Sequence, residues 1–174
     1  MLRRVRGYLD REISKMLYNT LILPIFDYCN IVIGNSNAGI VTRLQRLQNR
    51  AGRVILRWGK FTHSIDILEE LNWLSVNEHI KLNTGVMMYK CIKHECPRYL
   101  YDSINYSEAR EQCNTRRSNH RYPVPTKHKL VTGQRSFTYK GPKLLNDVDF
   151  EVDECESLRQ FKGKMIQYLV NHRM

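Results

Sequence analysis

The chain has 174 residues, of which 42% are hydrophobic and 26% charged, and a net charge of +11. That length suits one domain or two small ones, and the composition excludes a disordered polyelectrolyte. No apolar run approaches the roughly 20 residues of a membrane-spanning helix, and the best candidate, LILPIF, is cut by Pro24 and followed by Asp27.

Residues 1–23 carry helical periodicity, with Leu9, Ile13, Met16, Leu17, Thr20 and Leu21 on one face. The start, MLRRVRGYLDREISKM, is basic, but Asp10 and Glu12 interrupt it and it lacks a secretory apolar core. Five cysteines (Cys29, Cys91, Cys96, Cys113 and Cys155), odd in number and irregularly spaced, read as reduced thiols. An intracellular site, nuclear or cytoplasmic, is expected; a mitochondrial presequence is the weaker alternative. Pro24 stops or restarts the first helix. Residues 25–33, IFDYCNIVI, are nearly all apolar and predict burial, as strand or helix. GNSNAG, 34–39, reads as a turn.

A long helix follows over about 40–58, with Gly59 at the C-cap position. Ser64 or Thr62 caps a short helix over 65–71 that turns Ile65, Leu68 and Leu71 inward. Ser75 and Glu78 form a capping box opening a helix over about 76–93, with Val76, Ile80, Val86, Met87, Tyr89 and Cys91 among its apolar positions. Pro97 starts a short helix through YLYDSI. Residues 105–134 are polar and basic and read as an irregular arm carrying Arg116, Arg117 and Arg121. RSFTYK, 135–140, alternates like a strand, GPKLLND suits one helical turn, and Ser157 caps a final helix. The expected fold is mainly α: a helical domain over 1–104, the basic arm over 105–134, and a C-terminal segment over 135–174 with a short strand or hairpin and a terminal helix.

The charge is unevenly spread. Residues 1–60 hold 11 basic and 3 acidic side chains, and residues 111–147 hold 8 and 2. Such blocks suit a polyanionic partner. Within RLQRLQNRAGRVILRW, Arg43, Arg46, Arg50, Arg53 and Arg57 recur at spacings of 3, 4, 3 and 4, so they share one stripe of the long helix. Ile40, Leu44, Leu47, Ala51, Val54, Ile55 and Trp58 cluster roughly a third of a turn away and predict the buried face. No acid occurs between Asp27 and Asp66 to neutralise the stripe from within the helix. Arginine grips phosphate oxygens at two points, so nucleic acid is the first reading of the partner. The alternative is that Glu69, Glu70 or the acids of 149–156 neutralise the stripe within the fold. Tyr101, Tyr106, Tyr122, Phe137 and Tyr139 interleave with the second basic block and suit stacking on unpaired bases or ordinary packing.

Cys91, His94, Cys96, Cys113 and His120 fit no common zinc spacing, so no metal site is expected. No phosphate-binding Gly loop occurs, and no orienting third group accompanies a Cys–His pair. No cofactor is implied.

LYNTLILPIFDYCNIVIGN (17–35), RLQRLQNRAGRVI (43–55), ILEELNWLSVNEHI (67–80), MMYKCIKHECPRYL (87–100), TRRSNHRYPVP with GQRSFTYKGPKLLND (115–147) and SLRQFKGKM (157–165) follow one another in order. Together they resemble the C-terminal part of reverse transcriptases of non-LTR retrotransposons of the jockey-like kind, over nearly the whole chain. The resemblance implies a helical thumb, a connector, and contact of the 43–57 helix with an RNA–DNA duplex; single-stranded nucleic acid is the other expected partner. Ile33 and Leu145 stand where that family often has Trp. The palm and its paired metal-binding carboxylates are absent from the sequence, which holds no adjacent Asp-Asp pair. The expectation is therefore a non-catalytic, nucleic-acid-binding fragment that also docks on the missing palm. A helical protein-interaction module, or a decayed element fragment, is the alternative.

Overall fold

The computed structural model describes residues 2–35, 38–106, 123–150, 152 and 154–173. Arg116, Arg117 and Arg121, with Cys113, His120 and Tyr122, lie outside the described residues. Among those described, the chain is mainly helical, with one two-stranded antiparallel ladder. No described helix is long and apolar enough to cross a membrane. The chain divides into two compact units, Met1–Ile80 and Lys81–Met174. The division falls inside a helix, whereas the change in composition near 105 falls beside residues that are not described.

In the first unit, α1 (Leu2–Val5) and α2 (Arg11–Leu17) are separated by a turn, and the Asp10 carboxylate caps α2 by accepting from Ile13 N at 2.7 Å. A π-helical turn, Tyr18–Ile22, leads into α3 (Leu23–Asp27). The widening falls just before Pro24, which has no N–H to donate to the preceding turn. The inward line is Ser14 and Tyr18, with Ile22 and Phe26 packed behind them. Ile13, Met16 and Leu21, expected inward, face water. The reason is Tyr18, which stacks on Trp73 with ring centroids 4.1 Å apart and so fixes the rotation of this segment.

Cys29, in the left-handed region, turns α3 into α4 (Asn30–Gly34). Burial of 25–33 holds on one side only. Asn30 is buried and Phe26 partly so, while Ile25, Tyr28 and Val32 are exposed. Two short helices present two sides, and only one meets α5 (Ala38–Leu56) and the start of α7 (Val76–Ile92).

Helix α6 (Ser64–Leu71) follows His63, whose side chain makes no capping bond, and buries Ile67, Leu68 and Leu71. Ile65, expected inward, is exposed, and Ile67 takes its place. Asn72 closes α6 in the left-handed region, where Trp73 N reaches back to Leu68 O at 2.8 Å. The capping box of α7 forms as expected. Ser75 N donates to the Glu78 carboxylate at 2.8 Å, and Glu78 N donates to Ser75 Oγ at 3.3 Å.

The second unit holds the rest of α7, α8 (Arg98–Asp102) behind Pro97, β1 (Asn105–Tyr106) paired with β2 (Pro123–Val124), α9 (Val131–Gln134), α10 (Phe137–Asp147) and α11 (Leu158–Asn171). Its core gathers Met88, Tyr89, Cys91, Leu145, Phe161, Met165 and Leu169. Tyr89 stacks on Phe161 at 4.9 Å and donates its hydroxyl to Cys155 O at 3.1 Å. Gly141 lies against the Met88 side chain, where a Cβ would come within 2.7 Å of it. Ser157 caps α11 by accepting from Gln160 N.

The strand expected over 135–140 is instead a turn at Arg135 and Ser136 followed by the start of α10, which continues through Pro142. Proline leaves the carbonyl four residues earlier without its helical donor. That carbonyl, Thr138 O, accepts from Thr126 N at 3.4 Å. A segment distant in sequence thus satisfies the group that would otherwise end the helix.

Candidate nucleic-acid interface

The orientation of α5 decides what its arginines can reach. Gln48 is 1% exposed, and Gly52 and Ile55 are buried with it. Gln48 donates to Leu74 O at 2.8 Å and accepts from Gln45 Nε2 at 3.0 Å. Gln45 Oε1 accepts from Val76 N at 2.8 Å, and Gln45 Nε2 also reaches Asn49 Oδ1 at 2.9 Å. These amides fasten α5 to the first turn of α7 and satisfy groups that burial would otherwise leave unbonded. Gly52 brings α5 against α6 so closely that a Cβ there would collide with Ile67.

The buried line of α5 is therefore Gln48–Gly52–Ile55, rotated from the aliphatic face expected for it. Leu47 and Ile40 stand exposed. Gln48 lies two residues, roughly 200° of helix, from Arg46 and from Arg50. The arginine stripe accordingly points away from the packed side rather than along its rim.

The five arginines divide into two groups. Arg43, Arg46 and Arg50 are exposed, and their guanidiniums have no hydrogen bond or ion pair among the described residues. Arg53 is half-buried and donates to Thr62 O at 2.7 Å, while its Nε is buried without a partner among the described residues. Arg57 lies past the end of α5 with φ of 58°. Trp58 N donates to Arg53 O at 3.1 Å, so Arg57 closes the helix at the position expected for Gly59. The Arg57 guanidinium reaches Arg6 O and Leu9 O, each at 3.4 Å. The helical stripe thus runs from Arg43 to Arg53, about 15 Å at 1.5 Å per residue.

Within Met1–Ile80 no described carboxylate pairs with any of the five. Glu70 is held by Arg11 at 2.6 Å, and Asp27 lies 3.5 Å from His79. In the second unit, Glu154 pairs with Lys164 and Asp149 with His172. Residues 3–6 and 43–60 carry nine of the eleven basic side chains of the first 80 residues.

Two concave features among the described residues are poor sites. A cavity of about 10 Å³ beside Asp27, Asn30, Gln48 and His79 holds at most one water. Burial pushes the His79 imidazole below its ordinary value and outweighs the opposing pull of Asp27 and Glu78. A shallow groove is lined by His94, Cys96, Arg98, Tyr101 and Asp102. The His94 and Tyr101 rings meet at a tilt of 39° with centroids 4.4 Å apart, and Arg98 sits 3.7 Å from Asp102. Cys91 is fully buried, and burial with the neighbouring Cys96 pushes its thiol up to about 12. Among the described residues, no three His, Cys, Asp or Glu side chains are grouped to hold a metal ion.

Compared with family models, with curated proteins and with solved structures, the chain matches none.

Proposed function

We propose that the chain binds nucleic acid through the unit Met1–Ile80, whose Arg43, Arg46 and Arg50 engage successive phosphates with Arg57 at the end of the stripe; Arg116, Arg117 and Arg121, which belong to the other unit, are secondary basic contacts. One observation carries this reading: three exposed guanidiniums stand in line, opposite the buried side of α5, with no carboxylate partner among the described residues. The resemblance of the sequence to the thumb and connector of non-LTR reverse transcriptases supports the same reading and names an RNA–DNA hybrid as the natural ligand. In this proposal the chain positions nucleic acid and carries no polymerase chemistry itself. With three or four phosphates engaged, affinity for a labelled RNA–DNA hybrid falls with salt on a log–log slope of about −3. Fluorescence anisotropy across a salt series tests this, and affinity that does not change with salt refutes it.

A second reading draws on the other side of the unit. Ile25, Tyr28 and Val32 leave an apolar face on α3 and α4 uncovered. On this reading that face docks on another protein surface, such as a polymerase palm. Sedimentation of the isolated chain tests it, because an uncovered apolar face drives self-association.

A further inference from the structure

The end of the arginine stripe carries aromatic rings that the phosphate reading leaves unused. Phe61 is 92% exposed, Tyr8 91% and Trp58 37%. By contrast, Tyr18, Trp73 and Phe26 of the same unit belong to or pack against its core. Tyr28, also exposed, lies apart between α3 and α4.

The two arginines of the stripe that are not free hold the backbone bearing these rings. Arg57 donates to Arg6 O and Leu9 O, the carbonyls that bracket Tyr8. Arg53 donates to Thr62 O, and Thr62 in turn donates to Gly59 O through its N–H and, at 3.1 Å, its hydroxyl. Phe61 sits inside that closed turn. Trp58 follows the left-handed Arg57 directly, with its N–H tied to Arg53 O. The aromatic-bearing segments are thus fixed around one end of α5.

Cations are concentrated in these segments. Arg3, Arg4, Arg6, Arg57 and Lys60 lie in or beside them in sequence, and outnumber the neighbouring acids Asp10, which caps α2, and Glu12. An apolar protein surface has no use for such an excess of positive charge. A nucleic-acid strand uses both features, because its phosphates meet the cations and its bases offer flat faces to the rings. In a duplex interior those faces are already stacked on each other, so only unpaired bases can reach exposed side chains.

We infer that Tyr8, Trp58 and Phe61 form a stacking platform for unpaired bases, so that the preferred ligand is a nucleic acid with a single-stranded segment at the Arg57 end of the stripe. This rests on the nucleic-acid reading proposed above and specifies its ligand.

The test compares the full chain on a blunt RNA–DNA hybrid and on the same hybrid extended by about six unpaired nucleotides, within the usual site size of such platforms. The extension tightens binding by about fivefold to a hundredfold, the range that one stacked base supplies. Phe61→Ala and Tyr8→Ala each erase most of that gain and leave the blunt hybrid unaffected, whereas Phe61→Trp keeps it. Both side chains are exposed, and circular dichroism checks that each variant keeps its helices. An extension without gain, or variants that weaken both ligands alike, overturns the inference. So does a Phe61→Ala variant that changes only self-association in sedimentation, which assigns the rings to protein docking. If the extension brings no gain while Arg43→Ala/Arg46→Ala/Arg50→Ala still flattens the salt dependence, the platform falls and the phosphate reading stands. If neither hybrid binds with salt-dependent affinity, both fall.

Discussion

Replacing Gly52 by Ala tests which side of α5 is packed. In an isolated helix the change is favourable, because Ala exceeds Gly by about 1 kcal/mol in helix propensity. Here the new Cβ would collide with Ile67 Cγ2 and lie 3.3 Å from Leu71 Cδ1. Cγ2 of a β-branched side chain is fixed by χ1 and cannot swing aside. Overpacking of this kind costs about 1–3 kcal/mol, so after the propensity gain the net loss is about 1 kcal/mol or somewhat more. Trp73 reports the event, since its Cζ3 lies 3.6 Å from the added carbon. Urea unfolding followed by tryptophan fluorescence should show a lower midpoint with an unchanged slope. Ile67→Leu moves the branch one carbon outward, so Gly52→Ala/Ile67→Leu should recover much of the loss. A midpoint equal to or above that of the parent refutes the packing of Gly52 on α6, and with it the outward direction of the arginines.

Further outcomes follow from the same contacts. Ser75→Ala removes one half of the capping box of α7 and should lower stability by about 1 kcal/mol in the same urea assay. His79 is held below its ordinary value of 6.5 by burial, against the pull of Asp27 and Glu78. Its neutral form is therefore the one the fold favours, so its contribution is complete above pH 6.5 and is lost as pH falls from there through the folded value. The urea midpoint should drop between pH 7.5 and 5.5, and His79→Gln should flatten that drop. Cys91 and Cys155 are buried, with thiols raised by burial, whereas Cys29 is exposed. Iodoacetamide at neutral pH followed by peptide mass spectrometry should label Cys29 well before the other two.

The sequence patterns predicted the elements better than their faces. The presence of helices α5 and α7, the box at Ser75 and Glu78, and the cap at Ser157 are local signals, and each forms, although α5 starts and ends two residues earlier than expected. The inward side of α5 was not legible, because a hydrophobic pattern counts Gln48 as polar and Gly52 as neutral. Gln48 is buried because Leu74 O and Gln45 complete its hydrogen bonds, and Gly52 because the missing Cβ admits Ile67. The signal present was the register itself, since Gln45, Gln48 and Gly52 lie across the helix from the arginines. The first turn of the helix over Phe137–Asp147 read as a strand for a similar reason. Its alternation is local, while the donor that lets it pass Pro142 is Thr126 N, twelve residues before Thr138. The split of the stripe into three free and two engaged arginines depends on the carbonyls of Arg6, Leu9 and Thr62, which no spacing rule reveals.

The most direct measurement is the difference in salt dependence between the parent chain and Arg43→Ala/Arg46→Ala/Arg50→Ala on one RNA–DNA hybrid. Arg159→Ala/Lys162→Ala serves as a charge-removal control on the exposed side of α11. If the stripe meets phosphates, the triple variant loses about 0.9 of log–log slope per arginine, nearly the whole dependence, and the control loses little. Equal slopes for parent and triple variant, or equal losses in variant and control, contradict the account.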